Sequence, residues 1–81
     1  MTVEPMGLVS LQRGRRYKIT LKLSWVESIA TNAMVAERLR SLSFSDVQVV
    51  GNGSVRIAEA LWPGENIEAE VPSQVKSIAE I

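Results

Sequence analysis

The acidic residues near the C-terminus come closest to the spacing that catalysis or metal binding requires. Glu65, Glu68 and Glu70 follow one another closely, and carboxylates can act as general acids, as bases or as ligands of hard cations. Glu68 and Glu70 share one face of a predicted strand, however, and no second acidic motif completes a cation site. We therefore expect a solvated strand face here, and no metal site.

The residue types most often used in catalysis are missing from the sequence. It contains no histidine and no cysteine, which removes imidazole bases, thiolate nucleophiles and the usual nitrogen and sulfur metal ligands. The segment Gly51-Asn52-Gly53 lacks the lysine of a phosphate-binding loop and lies between two predicted strands. The sequence thus predicts a protein that is not an enzyme and holds no cofactor.

Cations form the second group of candidate functional residues. Arg16, Lys18 and Lys22 alternate along one strand face, where they could follow a phosphate backbone. The same alternation places Tyr17 and Trp25 on the opposite, apolar face, so these aromatic rings would not stack on bases bound to the cations. Nucleic acid is therefore the alternative partner and a protein the preferred one. The candidate binding face comprises Arg13, Arg15, Arg16, Lys18, Lys22 and Arg56.

Self-association is suggested by Trp62 and by the distribution of charge. Trp62, next to Pro63-Gly64, either covers the edge of the core or is exposed as an interface anchor. The net charge is zero, but residues 1–58 carry eight cations against four acids, and residues 59–81 carry one lysine against five glutamates. This division indicates internal pairing, complementarity between subunits or a basic binding face. The sequence leaves both a monomer and a homo-oligomer open.

The elements that position these residues are organised around one strand. From Arg15 to Trp25, large apolar residues alternate with cations and hydroxyl groups, a period of two that is typical of a half-buried strand. We expect the apolar face to be buried: Tyr17, Ile19, Leu21, Leu23 and Trp25. A shorter edge strand at residues 8–12 is predicted to turn back into it at Gln12–Arg15.

An amphipathic helix and further strands follow the central strand. The helix has its apolar stripe between Ile29 and Leu42, and begins either at a Ser24/Glu27 capping box or, as we favour, with Thr31 as N-cap. Gly51-Asn52-Gly53-Ser54 predicts a hairpin between a strand at 47–50 and one at 54–62. Another strand is predicted at 67–71, and after Pro72 we favour a short C-terminal helix over an extended segment.

These elements predict an α+β fold with a single two-layer domain. A mixed or antiparallel sheet of three to five strands, with a strand-helix-strand-strand core, would pack against one helix over residues 8–81, preceded by a flexible tail at 1–7. The hydrophobic content of 46% is that of a folded protein. No apolar run has the length of a membrane span, and Met1–Pro5 is too short and acidic to begin a signal peptide. We therefore expect a soluble protein without a membrane span.

Residues 17–57 resemble the first half of a SPOR-type peptidoglycan-binding repeat. The resemblance consists of the strand Tyr17–Ser24, the helix with Ala33, Leu39 and Leu42 ending near Phe44, and the following hairpin with Val47, Val49 and Val55-Arg56-Ile57. It implies a glycan as a further alternative partner. Beyond Ile57 the sequence departs from the repeat, because Leu61-Trp62-Pro63-Gly64 and an acidic strand replace its second long helix. We predict a non-catalytic binding or assembly module of a larger complex, such as a virion, secretion or cell-envelope component.

Overall fold

The fold is organised around a four-stranded antiparallel sheet, against which the other elements pack. The computed structural model describes residues 8–81. The strands of this sheet, numbered in chain order, are arranged 3-4-2-6, and the first and fifth strands form a separate two-stranded antiparallel sheet. The protein is a small, compact α+β domain. The tail expected at residues 1–7 lies outside the described residues. The elements are β1 (Leu8–Leu11), β2 (Arg15–Lys22), a 3-10 turn (Glu27–Ile29), α1 (Asn32–Ser41), β3 (Ser45–Asn52), β4 (Val55–Trp62), β5 (Ile67–Glu70) and β6 (Val75–Glu80).

The period-two pattern of the central strand is confirmed by β2. Tyr17, Ile19 and Leu21 are buried, and the alternating Lys18, Thr20 and Lys22 face the other side of the sheet. The prediction was wrong at its C-terminal end, because the strand stops at Lys22 and Trp25 is 84% exposed. The physical reason is the chain reversal after Leu23, where the backbone leaves the sheet and enters the 3-10 turn.

Strand β4 lies between β2 and β3 and pairs antiparallel with both. β2 and β3 therefore run parallel without touching, which is one of the arrangements expected of a strand-helix-strand connection. The hairpin between β3 and β4 turns where glycine and asparagine predict it, with φ of 103° at Gly51 and 68° at Gly53. Ala58 and Ala60 are fully buried on the inner face of the sheet, the face that also carries Tyr17 and Ile19.

Both helix starts suggested by the sequence are used, one for each helical segment. Thr31 is the N-cap of α1, and its Oγ1 accepts a hydrogen bond from the Met34 backbone N–H at 3.1 Å. The Ser24/Glu27 capping box forms as well, around the 3-10 turn. Helix α1 packs along β3 and buries Ala36 and Leu39 on the inner face of the sheet.

The strand number and two pairings differ from the predicted fold. There are six strands rather than three to five, because residues 75–80 form strand β6 at the edge of the large sheet and not a helix. The chain does turn back between β1 and β2, but β1 pairs with β5, outside the large sheet. Leu11 of β1 is buried with α1 and the large sheet in one hydrophobic core, so α1 and the small sheet cover the same face. Between residues 8 and 81, no helix has the length and apolar character needed to cross a membrane.

Candidate apolar binding cleft

An apolar cleft of about 510 Å³ opens between α1, the small sheet and the inner face of the large sheet. Its volume lies within the range of about 300–1,000 Å³ that is typical of ligand-binding sites. Most of its lining is aliphatic or aromatic, and it comes from every layer of the fold. The main apolar contributors are Ile19, Leu21, Val75 and Ile78 from the large sheet, Met34, Val35, Leu39 and Leu42 from the helical side, and Val9, Leu11, Ile67 and Ala69 from the small sheet.

Two aromatic rings meet in the wall of the cleft. Phe44 and Trp62 pack edge to face, with their ring centroids 5.2 Å apart and their planes at 69°. Trp62 is only 6% exposed, and its Nε1–H donates to the Glu65 carbonyl at 2.8 Å. Of the two alternatives for Trp62, the exposed interface anchor was therefore wrong, because strand alternation in β4 directs Ala58, Ala60 and Trp62 to the inner face. Trp62 belongs to the core and to the cleft wall.

Four polar side chains line the cleft, those of Glu27, Arg38, Glu70 and Gln74, and each of them is exposed or partly exposed; we call this polar edge the mouth. Glu27 accepts hydrogen bonds from the Ser24 backbone N–H at 2.9 Å and from the Gln74 amide at 2.8 Å. The backbone and side-chain hydrogen bonds from Ser24 and Gln74 lower the pKa of Glu27 below its ordinary value. This contact ties the 3-10 turn to the loop before β6, across one side of the mouth.

Arg56 was expected on a basic binding face, and this prediction was wrong. The side chain is 3% exposed and lies on the inner side of β4. Its guanidinium donates to the carbonyls of Gly53 and Ser28 and to Asn32 Oδ1, at 2.9–3.0 Å. Because these partners belong to the hairpin, the 3-10 turn and the start of α1, Arg56 joins its own hairpin to two segments that lie 24 and 28 residues earlier in the sequence. The planar guanidinium suits this role, because its N–H groups point in different directions and can each reach a different acceptor.

The other cations of the predicted basic face differ in how far they are engaged. Arg15 pairs with Glu80 at 3.3 Å, and Arg16 pairs with Asp46 at 2.7 Å. Arg13 is exposed in the turn before β2, where its Nε donates weakly to Pro63 O at 3.4 Å. Lys18 and Lys22 are exposed on the outer face of β2, with Lys18 opposite Glu59 of β4. The structure therefore brings Arg16, Lys18 and Lys22 onto one face, with Arg16 already paired.

The acidic residues of the C-terminal third do not converge. Of Glu59, Glu65, Glu68 and Glu70, only Glu70 lines the cleft. Within the described part of the chain, no three acidic side chains lie close enough together to hold a metal ion. The chemistry available in the cleft is therefore burial of an apolar group, with polar contacts limited to its mouth.

Sequence reasoning missed both the cleft and the exposure of Trp25. The cleft depends on how three elements pack, which no local pattern reports. A signal for Trp25 was present, because a capping box at Ser24 and Glu27 ends the preceding strand. In comparisons with known proteins, no family model, no curated protein and no solved structure matches the chain.

Proposed function

We propose that the protein is a non-catalytic binding and assembly module whose apolar cleft takes up an apolar segment of a protein partner. The observation that carries this proposal is the cleft itself, with about 510 Å³ of space between α1 and the two sheets and an almost wholly apolar lining. An apolar side chain that enters it leaves water without burying an unpaired polar group.

The placement of charge supports binding rather than catalysis. Glu27 is engaged by Ser24 and Gln74, and Arg38 and Glu70 are exposed at the mouth. A general acid or base must lie within hydrogen-bonding distance of a bound substrate and must be free to exchange its proton. The walls below the mouth contribute aliphatic and aromatic groups, which position a ligand by shape.

A test of the cleft uses the fluorescent apolar probe anilinonaphthalene sulfonate. Ala69 lies in β5, is half-buried and lines the cleft, so Ala69→Trp places a large side chain in the space that a ligand would use. We expect the probe to bind the wild-type protein and to bind Ala69→Trp at least about tenfold more weakly, a difference of about 1.4 kcal/mol.

Ala79→Trp is the matched control, because Ala79 is exposed in β6 and pairs opposite Lys18 on the outer face of the large sheet. This variant introduces the same aromatic side chain outside the cleft, so probe binding should remain at the wild-type level. Equal loss of binding in both variants, or no loss in Ala69→Trp, would contradict the proposed function. Circular dichroism checks that each variant is folded.

A further inference from the structure

Three large apolar side chains protrude beside the cleft and form what we call the knob: Trp25, Val26 and Ile29. Trp25 and Ile29 are each 84% exposed and Val26 is 56% exposed. Single exposed apolar residues are common on protein surfaces, but a tryptophan clustered with two aliphatic residues is typical of an interface. The knob is therefore an exposed apolar surface that gains free energy when it leaves water.

The knob is held rigidly by hydrogen bonds. Ser28 donates its backbone N–H to the Ser24 carbonyl at 2.8 Å and its hydroxyl to the Trp25 carbonyl at 2.7 Å. Arg56 donates to the Ser28 carbonyl, and the Ser24/Glu27 capping box closes the turn. Little backbone freedom remains to be lost when the knob binds, which lowers the entropic cost of association.

The knob and the mouth of the cleft belong to the same stretch of chain. Leu23, Glu27, Ala30 and Met34 line the cleft, whereas the three knob side chains between them point elsewhere. Each copy of the chain therefore has an apolar protrusion next to an apolar cavity, and its own protrusion does not fill that cavity. A second copy of the chain offers the matching pair of surfaces.

We infer that two copies form a symmetric dimer in which the knob of each inserts into the apolar cleft of the other. The knob and the mouth are adjacent in each copy. A two-fold axis that passes beside the mouth therefore places the knob of each copy at the cleft of the other, so both contacts form at once, as closed symmetry requires. This inference rests on the proposed function, since it names the apolar segment that the cleft binds. It also moves the anchor of self-association from Trp62, which is buried, to Trp25.

The area available is sufficient for a specific dimer. A tryptophan buries about 150–250 Å², so two inserted Trp25 side chains and the cleft walls they cover account for about 600–1,000 Å². Ile29 and Met34, which are 84% and 60% exposed, add to this at both contacts. The total reaches the roughly 1,000 Å² that marks a specific interface. The polar mouth, with Arg38, Glu27 and Glu70, would form its rim.

The test is the molar mass of the full chain by sedimentation equilibrium from about 1 μM to about 1 mM. We expect the wild type to become dimeric within this range. Trp25→Ser and Ala69→Trp should each raise the dissociation constant of the dimer at least about 30-fold, the change expected when a hot-spot residue is lost. Val50→Ser is the control, because Val50 is 60% exposed in β3, away from the knob and the cleft lining, and should leave the dissociation constant unchanged.

Mixing the two impaired variants adds a readout that misfolding would not produce. Trp25→Ser keeps its cleft and Ala69→Trp keeps its knob, so the mixture should form a heterodimer held by one of the two contacts, more stable than either variant with itself. A wild-type protein that stays monomeric at the highest concentration overturns the inference, as does a Trp25→Ser variant that dimerises like the wild type.

Two other occupants are separate outcomes that also overturn the dimer. If the monomeric protein sediments with vesicles of phosphatidylcholine and phosphatidylglycerol and Trp25→Ser does not, the knob docks on a lipid surface. If the cleft of monomeric Trp25→Ser binds the fluorescent probe while the wild type never dimerises, the proposed function stands and only its occupant is wrong. If neither dimerisation nor probe binding is observed, both proposals fail.

Discussion

Arg56 is the residue that joins the 3-10 turn, and with it the knob, to the hairpin between β3 and β4. It is buried without a carboxylate partner in the described hydrogen bonds, and its guanidinium is instead shared among Gly53, Ser28 and Asn32. A buried charge is tolerated when its donors are satisfied, and here the acceptors are two carbonyls and an amide oxygen. The structural role of this cation follows from that arrangement.

Replacing Arg56 by lysine should destabilise the fold by about 2–3 kcal/mol, because one ammonium group cannot reach three divergent acceptors and leaves some of them unpaired. We expect the Tm to fall by about 10–20 °C, measured by thermal denaturation. Arg40→Lys is the matched control, since Arg40 is half-exposed and pairs with Glu37 on the surface of α1. It should change the stability by less than about 0.5 kcal/mol. Equal Tm losses would refute the structural role of Arg56.

At the scale of the elements, the stability of the 3-10 turn should respond to pH through Glu27. The hydrogen bonds from Ser24 and Gln74 lower the pKa of Glu27 relative to its ordinary value of 4.5. A carboxylate with a lowered pKa stabilises the folded state above its unfolded pKa, and this contribution disappears as the pH falls through the folded value. The turn and the knob should therefore loosen in acid.

Glu27→Gln is expected to lower the Tm near neutral pH, because Ser24 N–H and the Gln74 amide donate to different carboxylate oxygens of Glu27 and the neutral amide offers only one acceptor oxygen. The Tm difference between wild type and variant should shrink as the pH falls below 4.5, when Glu27 takes up its proton. Thermal denaturation at a series of pH values measures this difference. In a Gln74→Ala background the pH dependence should be weaker, since one of the interactions that lower the pKa is gone. A difference that is constant with pH would contradict the assignment.

For the whole molecule, the distribution of charge is balanced more within the chain than across a binding face. Arg15 and Glu80 join β2 to β6, and Arg16 pairs with Asp46 in β3. The Arg15–Glu80 pair joins the basic central strand to the acidic C-terminal part, which is the internal pairing that the division of charge suggested, whereas Arg16 and Asp46 both belong to residues 1–58. Of the six cations predicted to form a binding face, the exposed Lys18 and Lys22 lie on the outer face of the sheet without such a pair in the described structure.

We therefore expect weak nucleic-acid binding at most. If Lys18 and Lys22 each contact one phosphate, the slope of log affinity against log salt concentration has a magnitude of no more than about 2. The protein should therefore elute from heparin below about 0.15 M salt. Lys18→Glu combined with Lys22→Glu should make little difference to elution at that salt concentration. Tight DNA or RNA binding with a slope of about 4 or more, abolished by the double substitution, would contradict this expectation and restore the nucleic-acid alternative.

The sequence by itself determined those features that depend on local physics. The buried face of β2 follows from alternation, because successive side chains of a strand point to opposite sides. The hairpin follows from Gly51 and Gly53, which adopt the positive φ that other residues avoid. The start of α1 follows from Thr31, whose hydroxyl accepts a hydrogen bond from a backbone N–H three residues later. In each case the interaction that selects the conformation lies within a few residues.

Only the tertiary structure decided which strands pair and which side chains are buried. Val75 and Ile78 are three residues apart, a spacing that fits a helix, yet an irregularity in the β2–β6 register places them opposite Leu21 and Ile19 on one strand face. The pairing of β1 with β5 joins segments more than fifty residues apart in sequence. The burial of Arg56 and the apolar cleft follow from such distant contacts, whose free energy no local pattern contains.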